Sequence, residues 1–390
     1  MNSSGKSIHF QVILLTAVRT IMNTANRMVY PFLAVFARGL GVDIVTISLV
    51  MSARSFTAML NPFLAPTVEQ RGRKAGMLMA IALFTLANTV LFLRPTFTVF
   101  FITQCVSYLS LYFFFSSIHA FIGDQIPYEV RGRSSAVLEF SWSLSFILGV
   151  PLVGLLIEHA GWQSAFPLFA VLGMISFCLV ARIIPAPSPA QSNHLNLVSG
   201  LKQILKSRAT VAGLVFSVLF HTGNEVVNLV FGVWMEDSFG LKIAALGGAA
   251  LVIGLADLTG ETLSAIFVDR LGKRRAVAIG VSLNILCALA LPWMDQSVWS
   301  ALLGLFLYFL SFEFVIVCFL PIMSEVQPKA RATVLSYEVA AHAAGRGLGA
   351  LLLPALFAAG FTASALASAA FGVVSLLLLS QVKVAADMKR

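Results

Sequence analysis

Charged residues are scarce in this chain. Asp, Glu, Lys and Arg together make up 11% of its 390 residues, whereas 58% are hydrophobic and the mean hydropathy is +0.91. One water-soluble core cannot bury so much apolar surface. The composition therefore excludes an ordinary soluble domain and indicates that a lipid bilayer surrounds the protein.

Cysteine is also rare, and the signals typical of enzymes are missing. The four cysteines lie in apolar segments without metal-ligand spacing, which excludes a disulfide framework. We find no phosphate-binding glycine loop, no metal-spaced His/Cys set and no Ser-His-Asp signal, so we expect no catalytic residue, metal or cofactor. The chain also lacks a nucleotide-binding segment, which argues against an ATP-driven pump. A membrane receptor or enzyme is the hypothesis from another class, and it is disfavoured.

Long apolar runs recur from end to end. A helix rises about 1.5 Å per residue, so roughly 20 apolar residues cross a hydrocarbon core of about 30 Å. The sequence therefore predicts an all-α integral membrane protein with twelve transmembrane helices. The predicted spans are 9–37, 44–65, 75–94, 97–122, 133–157, 163–183, 209–235, 243–266, 276–293, 297–322, 332–358 and 361–381.

The net charge of +9 is sorted by loop. Most of the 26 Lys and Arg residues fall in the termini and in alternate loops, and the intervening loops hold only Arg38, Arg94 and Lys242. This is the positive-inside pattern, which predicts cytoplasmic N- and C-termini, with a bacterial inner or plasma membrane as the expected location. We therefore expect membrane lipid, and no nucleic acid, as the partner of these bases.

The chain repeats itself at an offset of about 200 residues. Glu69-Gln-Arg-Gly-Arg-Lys74 follows the second span, and Asp269-Arg-Leu-Gly-Lys-Arg274 follows the eighth in the same register. The segments 123–133 and 324–331 likewise both join a proline to an arginine that opens the next helix. A Pro- and Ser-rich stretch separates the halves, which predicts an N-terminal six-helix bundle at 1–184, a cytoplasmic linker at 185–207 and a C-terminal bundle at 208–390.

On these paired motifs the entire chain resembles the major facilitator superfamily of transporters. The most specific element is the loop from Asp269 to Arg275, whereas the first copy has Glu69 and Gln70 where the family usually has Asp and Arg. The resemblance implies a monomer of two pseudo-symmetric six-helix bundles around a central cavity, working by alternating access. It also implies a cytoplasmic gate, although the same bases could serve only to anchor the loops to anionic lipid. The gate residues are Glu69, Arg71, Arg73, Asp124, Arg131, Asp269, Arg270 and Arg274.

Ionisable residues inside the spans indicate which helices face the cavity. A charge at bilayer depth costs a few kcal/mol, so it faces water or a partner. Every third span lacks such residues and should face lipid. Elsewhere polar residues recur three or four positions apart on one helix face. We predict solute contacts at Arg19, Asn23, Arg27, Tyr30, Arg54, Asn224, Asn228 and Arg346, and proton coupling at His221, Glu225, Asp257, Glu313, Glu338 and His342.

Two interpretations of these buried charges remain open. They could form ion pairs between the halves that stabilise one state, or the carboxylates could take up and release protons and so couple transport to a proton gradient. We favour proton-coupled export of a small organic solute, amphiphilic or anionic. The segment from Gly149 to Gly154 resembles a weakened antiporter motif, but the arginine that antiporters carry in the fourth span is absent. The alternative is a symporter or uniporter that imports a sugar or an organic acid.

Overall fold

The structure is a computed structural model that describes residues 3–60, 72–126, 128–185, 204–327 and 330–382. The described residues form helices joined by short turns and contain no β-strand. Most of the predicted linker, 185–207, lies outside the described residues.

Fifteen α-helices are numbered here in chain order. The first half contains α1 (Ser3–Arg27), α2 (Leu33–Leu40), α3 (Ile44–Ala58), α4 (Arg73–Leu93), α5 (Phe97–Gln125), α6 (Tyr128–Leu144), α7 (Val150–Ala160) and α8 (Ala165–Ile183). A π-helical turn, Ser145–Gly149, joins α6 to α7. The second half contains α9 (Arg208–Asn228), α10 (Phe231–Phe239), α11 (Ile243–Leu271), α12 (Lys273–Ala290), α13 (Val298–Val326), α14 (Arg331–Ala358) and α15 (Phe361–Leu379).

Each of the twelve predicted spans contains helix. Ten helical stretches of the described chain are long and apolar enough to cross a membrane, and an eleventh is added if α2 and α3, which bend by 111°, count as one span. Helix α1 is not among the ten. Two arginines and two asparagines in its second half, Arg19, Asn23, Asn26 and Arg27, make it the most polar of the predicted spans.

Two spans that we predicted as continuous helices are broken. The first, 9–37, ends as α1 at Arg27 and resumes as α2 after a turn that contains Pro31. Proline has no amide hydrogen to donate, so it cannot extend the helical hydrogen-bond ladder. The seventh, 209–235, breaks between α9 and α10 at the equivalent point of the repeat, and there no proline marks the break. The sequence did not predict these interruptions, although Arg208–Phe239 as a whole is long and apolar enough to cross a membrane.

Contacts between helices divide the chain into two compact units. The first unit contains α1, α2, α4 to α8 and the first part of α11, Ile243–Gly254; the second contains α3, α9, α10, the remainder of α11 and α12 to α15. The predicted bundles follow chain order, so this grouping differs from them by α3 and by one end of α11. The boundaries at 184 and 208 stay a prediction about the two repeats.

The third helix of each predicted triplet exposes large apolar side chains. These helices, α4, α8, α12 and α15, display large apolar side chains such as Leu86, Val171, Leu286 and Leu377, which are each at least half exposed. None of them carries an ionisable residue within its apolar stretch, so their surfaces suit contact with lipid.

Candidate functional site

The second unit holds a buried carboxylate, Glu338, on α14. Its side chain is 1% exposed. The Ser217 hydroxyl of α9 donates a hydrogen bond to Oε1 of Glu338, and Nε2 of His342 lies 3.2 Å from the same oxygen. The other oxygen, Oε2, is buried and has no hydrogen-bond partner among the described residues. The carboxyl group therefore sits among a hydroxyl and an imidazole, with no permanent cation beside it in the described chain.

A second imidazole adjoins this group. The rings of His221 and His342 stack with centroids 3.9 Å apart and planes 24° apart. Nδ1 of His221 lies 2.9 Å from the Ser217 carbonyl oxygen, which can only accept, so Nδ1 carries the hydrogen and Nε2 is left to exchange a proton. Two positive charges at this separation repel strongly in a low dielectric, so the stacked pair favours at most one imidazolium.

Small residues allow α9 and α14 to approach closely at the site. A Cβ at Gly349 would lie 2.6 Å from Cβ of Glu225, and a Cβ at Gly345 would collide with the α9 backbone at Val218. The Thr222 hydroxyl donates to the Gly345 carbonyl oxygen across the same crossing, at 3.1 Å. Glycines one turn apart are typical of close helix packing within membranes. The crossing fixes the relative positions of the stacked histidines and Glu338.

Helix α3 covers another side of α14. The Ser52 hydroxyl donates to the Gly347 carbonyl oxygen at 2.9 Å, and the Phe56 ring occupies the space that a Gly347 side chain would need. Arg54, two residues after Ser52, is 1% exposed. This predicted solute contact therefore lies inside the second unit, on a helix that packs against α14.

The first unit holds a carboxylate with a different set of partners. Glu139 on α6 forms an ion pair with Arg19 on α1, with Nη2 of Arg19 3.0 Å from Oε2. Nη1 of Arg19 donates to the Leu138 carbonyl oxygen at 3.0 Å, and the guanidinium lies 4.7 Å from the centre of the Phe115 ring. Nε2 of His119 lies 3.4 Å from the other oxygen of Glu139. This carboxylate has a permanent cation and an imidazole beside it.

Arg27, the second base of α1, is also held by its own unit. Its guanidinium lies over the rings of Trp142 and Phe146, at 4.0 and 3.5 Å from the ring centres. Nη1 donates to the Trp142 carbonyl oxygen at 2.8 Å, and the Ser145 hydroxyl donates to the same oxygen. That carbonyl lies beside the π-helical turn, where the regular ladder is interrupted. One turn before Arg27, Asn23 donates to the Ser141 hydroxyl at 3.3 Å.

The internal repeat relates the two carboxylates. The offset of about 200 residues that pairs the loops also pairs Glu139 of α6 with Glu338 of α14. It pairs Arg19 with the neighbourhood of Ser217 and His221 on α9. The two halves therefore present a carboxylate at the same position, with an arginine beside it in the first half and a serine and imidazoles in the second.

The other predicted contacts in the membrane are placed by the structure as follows. Among the proton-coupling candidates, Glu225 and Asp257 are buried, and Glu313 and His342 are half-buried. Glu313 borders the crossing of α11 and α13 at Gly260. Among the solute candidates, Tyr30, Asn224 and Asn228 are buried and Arg346 is half-buried.

Two equivalent ion pairs lie at the base-rich ends of the units. Arg73, which begins α4, pairs with Asp124 at the end of α5, with 2.9 Å between Nε and Oδ2. Lys273, which begins α12, pairs with Glu325 near the end of α13. In both halves the following base donates to a helix-end carbonyl oxygen, Lys74 to Ala181 and Arg274 to Ser380. The repeat seen in the loop sequences thus has a matching set of contacts.

The remaining predicted gate residues are Glu69, Arg71, Arg131, Asp269 and Arg270. Glu69 and Arg71 lie outside the described residues. Arg131 donates to the nearby Ile126 carbonyl oxygen at 3.2 Å. Asp269 and Arg270 are exposed, and no hydrogen bond or ion pair joins either of them to another described residue. Their role in a gate stays a prediction.

Sequence reasoning missed several of these partners. His119 is the only Asp, Glu, Lys, Arg or His residue within the fourth predicted span. Its position inside the membrane was the only feature of the sequence that could have marked it as a site residue. Glu139 is a charged residue within the fifth predicted span but is not among the predicted site residues. Ser217 carries no signal because serine is common in such helices. Lys273 and Glu325 both stand in the repeated loop motifs. Across the described ranges, no group of three or more His, Cys, Asp or Glu side chains is placed to hold a metal ion.

Comparison with known proteins gives a family match over most of the chain. The model of the Major Facilitator Superfamily matches residues 15–350. Two uncharacterized MFS-type transporters of Bacillus subtilis (strain 168) are similar to this chain. YwfA is 24% identical over 385 residues, covering 95% of this chain and 92% of YwfA. YceJ is 22% identical over 341 residues, covering 87% of each chain.

Solved structures share the fold across the whole chain. A D-xylose-proton symporter superposes with a TM-score of 0.79 at 17% identity and covers 97% of both chains. The nucleoside transporter NupG gives 0.76 at 14% identity, with 97% of this chain and 98% of NupG covered. A bacterial homologue of the human lysosomal transporter Spinster, inward-facing and occupied, gives 0.76 at 12% identity over 96% of both chains. These likenesses confirm the predicted all-α membrane fold.

Proposed function

This chain belongs to the Major Facilitator Superfamily, and from that premise we propose that it is a proton-coupled secondary transporter in which Glu338 carries the proton. Membership of the family makes the protein an integral membrane transporter and not an enzyme. The coupling, the solute and the direction of transport are the proposal. We further propose a monomer with both termini in the cytoplasm of a bacterial cell.

The observation that carries the proposal is the environment of Glu338. Its carboxyl group is 1% exposed, and among the described residues its polar neighbours are the Ser217 hydroxyl and His342. Burying an ionised carboxylate without a cation costs free energy, so such a group binds a proton or shares the proton of a neighbouring hydrogen-bond donor. Its charge then depends on whether the site is open to water, and alternating access would change that condition in every cycle.

The contrast with Glu139 supports the choice of Glu338. Arg19 stays protonated at any physiological pH, and its ion pair keeps Glu139 ionised. A carboxylate that is always ionised cannot carry a proton. Glu338 occupies the equivalent position without an arginine beside it, so protonation is open to it.

The stacked histidines offer a route for that proton. Nε2 of His342 lies 3.2 Å from Oε1 of Glu338, a separation over which a proton can move from one atom to the other. The His342 ring is 22% exposed and lies against His221, whose Nε2 remains available. An imidazole can release a proton from one ring nitrogen and accept one at the other, which suits exchange with water on either side of a membrane. We propose Glu225 and Asp257 as further proton sites, since both are buried carboxylates.

For the solute we propose a small organic molecule, amphiphilic or anionic, that is exported. Arg19 and Arg27 both have partners within the first unit, so we propose that they contribute less than other arginines to binding an anion. Arg54 and Arg346 lie on α3 and α14, the two helices that pack together at Gly347, the residue that follows Arg346. We therefore propose these two arginines for an anionic group and Asn224 for hydrogen bonds.

The test measures proton movement that depends on solute. Purified protein is reconstituted into vesicles loaded with the pH dye pyranine, and a panel of organic acids, sugars and amphiphilic dyes is added outside. We expect at least one solute to change the internal pH and an imposed pH gradient to drive its accumulation or loss. The sign of the pH change distinguishes export by proton exchange from import with a proton.

Three variants assign the proton site. Glu338→Gln should still exchange labelled solute across the vesicle membrane but should lose its response to the pH gradient, because the amide keeps the hydrogen bonds and cannot carry a proton. Glu139→Gln is the matched control at the equivalent position and should stay coupled, and Glu225→Gln tests the alternative carboxylate. Solute flux in the wild type without any proton movement, or normal coupling in Glu338→Gln, would contradict the proposal.

A further inference from the structure

A cavity lies at the base-rich end of the second unit, between the start of α12 and the end of α15. Its volume is about 460 Å³. Its walls combine two arginines with apolar side chains and the last turn of α15. The lining residues are Arg274, Arg275, Ala278, Leu376, Leu379 and Ser380.

The two arginines give the cavity a net positive charge. Arg274 is fixed in the wall because its Nη2 donates to the Ser380 carbonyl oxygen at 2.7 Å, and its other N–H groups remain for a ligand. Arg275 is exposed and has no hydrogen bond or ion pair with any other described residue. The neighbouring Lys273 is already paired with Glu325, and none of the described residues that line the cavity is acidic.

The remaining walls are apolar and continue onto the surface that suits lipid. Leu376 and Leu379 of α15 and Ala278 of α12 form the apolar part of the lining. Further along the same two helices, Leu286 is 61% exposed and Leu377 is 66% exposed. The cavity therefore stands where the apolar face of two peripheral helices meets the base-rich loop.

We propose that this cavity binds the phosphate head group of an anionic phospholipid. Guanidinium groups bind phosphate through paired hydrogen bonds, and basic pockets between transmembrane helices suit acidic lipid head groups. The first carbons of the lipid chains would lie along Leu376 and Ala278, which are both partly exposed. Inorganic phosphate offers the same charge to the arginines, but it leaves these apolar walls in contact with water.

The repeat provides an internal comparison for this site. In the first half Lys74 donates to the Ala181 carbonyl oxygen, as Arg274 does to Ser380 in the second. The residue that follows Lys74 is Ala75, whereas Arg275 follows Arg274. The first half thus lacks the second guanidinium, and we expect one such lipid site in the protein and not two.

The experiment counts and titrates bound lipid on the full chain in detergent micelles. Native mass spectrometry is recorded with added dioleoyl phosphatidylglycerol, with dioleoyl phosphatidylcholine, and with phosphatidylglycerol in competition with inorganic phosphate. We expect one retained phosphatidylglycerol per chain and weaker retention of phosphatidylcholine. Arg275→Gln should bind phosphatidylglycerol about tenfold more weakly, the effect of losing one charge-assisted contact. Arg94→Gln, an exposed arginine at the C-terminal end of α4, is the matched control and should bind as the wild type does.

A second variant tests the apolar wall without touching the charges. Leu376→Gln should weaken binding of phosphatidylglycerol and leave any competition by inorganic phosphate unchanged. Unchanged lipid binding in both Arg275→Gln and Leu376→Gln would overturn the proposed site. Equal binding of phosphatidylcholine, or displacement of the lipid by inorganic phosphate at equal concentration, would overturn its assignment to an anionic phospholipid.

Discussion

Removing Glu139 should destabilise the protein because it leaves the buried guanidinium of Arg19 without its ion pair. The Arg19 side chain is 7% exposed and that of Glu139 is 45% exposed. The loss of stability therefore arises mainly because the buried guanidinium of Arg19 would be left without its carboxylate. Breaking a buried ion pair from one side costs about 3–5 kcal/mol. Arg19 keeps the Leu138 carbonyl oxygen and the face of Phe115, so we expect Glu139→Leu to lose about 3 kcal/mol, the lower end of that range.

A double variant measures how much the interaction between Arg19 and Glu139 contributes to the free energy of unfolding. Arg19→Leu alone leaves a half-exposed carboxylate with His119 nearby and should cost about 1 kcal/mol. Arg19→Leu combined with Glu139→Leu leaves neither charge behind, and an apolar pair in place of a buried ion pair is close to neutral. The double variant should therefore be about 3 kcal/mol more stable than Glu139→Leu alone.

The assay is reversible unfolding in mixed detergent micelles, followed by tryptophan fluorescence and analysed as a double-mutant cycle. Glu338→Gln is the control, since the amide oxygen still accepts from Ser217 and His342; it should change the free energy of unfolding by less than about 1 kcal/mol. If Glu139→Leu were as stable as the wild type and lost proton coupling, the roles given to the two carboxylates would be reversed.

Two further predictions concern packing and pH. Gly349→Ala should destabilise the protein by about 1–3 kcal/mol, because the new Cβ would lie 2.6 Å from Cβ of Glu225. Gly248→Ala is the control, because no atom lies within 4 Å of its Cβ, and it should be neutral or slightly stabilising in the same unfolding assay. Asp43 caps α3, and hydrogen bonds from the hydroxyl and the backbone N–H of Thr46 lower its pKa from the ordinary value of 3.8. Because the pKa is lowered, the ionised Asp43 side chain stabilises the folded protein fully above pH 3.8, and this stabilisation is lost as the pH falls through the pKa that Asp43 has in the folded protein. The melting temperature of Asp43→Asn should therefore fall less between pH 6 and pH 3 than that of the wild type. An equal loss in both proteins would show that Asp43 does not titrate in this way.

The fold could be predicted from the sequence because its main determinant is local. Apolar runs of membrane length define the helices, and the paired loop motifs reveal the repeat, so the all-α architecture follows without knowledge of any contact. The breaks after Arg27 and Asn228 were not predicted. Pro31 offers a signal for the first in hindsight, but the second occurs in an ordinary apolar stretch whose path is set by tertiary packing.

The site was predictable within one helix and not between helices. Glu338 and His342 stand four residues apart, so their contact follows from helical spacing alone. The contact of Ser217 with Glu338 joins residues 121 apart, and that of Arg19 with Glu139 joins residues 120 apart. Which side chains meet across such a separation depends on how the helices cross. Glycines such as Gly345 and Gly349 allow the close crossing, but their positions in the sequence do not reveal which residues of the other helix lie opposite them.

The repeat explains why one of two equivalent carboxylates is suited to carry a proton. Equivalent positions in the two halves give Glu139 and Glu338 similar places on their helices, so backbone geometry does not distinguish them. The two carboxylates differ in their partners. Arg19 supplies a fixed positive charge to Glu139, whereas Ser217 and His342 supply Glu338 with hydrogen bonds whose protons can move. Because a permanent ion pair is unaffected by access to water, the first half would keep one charge state throughout the cycle. Coupling would then depend on the second half alone, which is why Glu338, and not Glu139, should respond to pH.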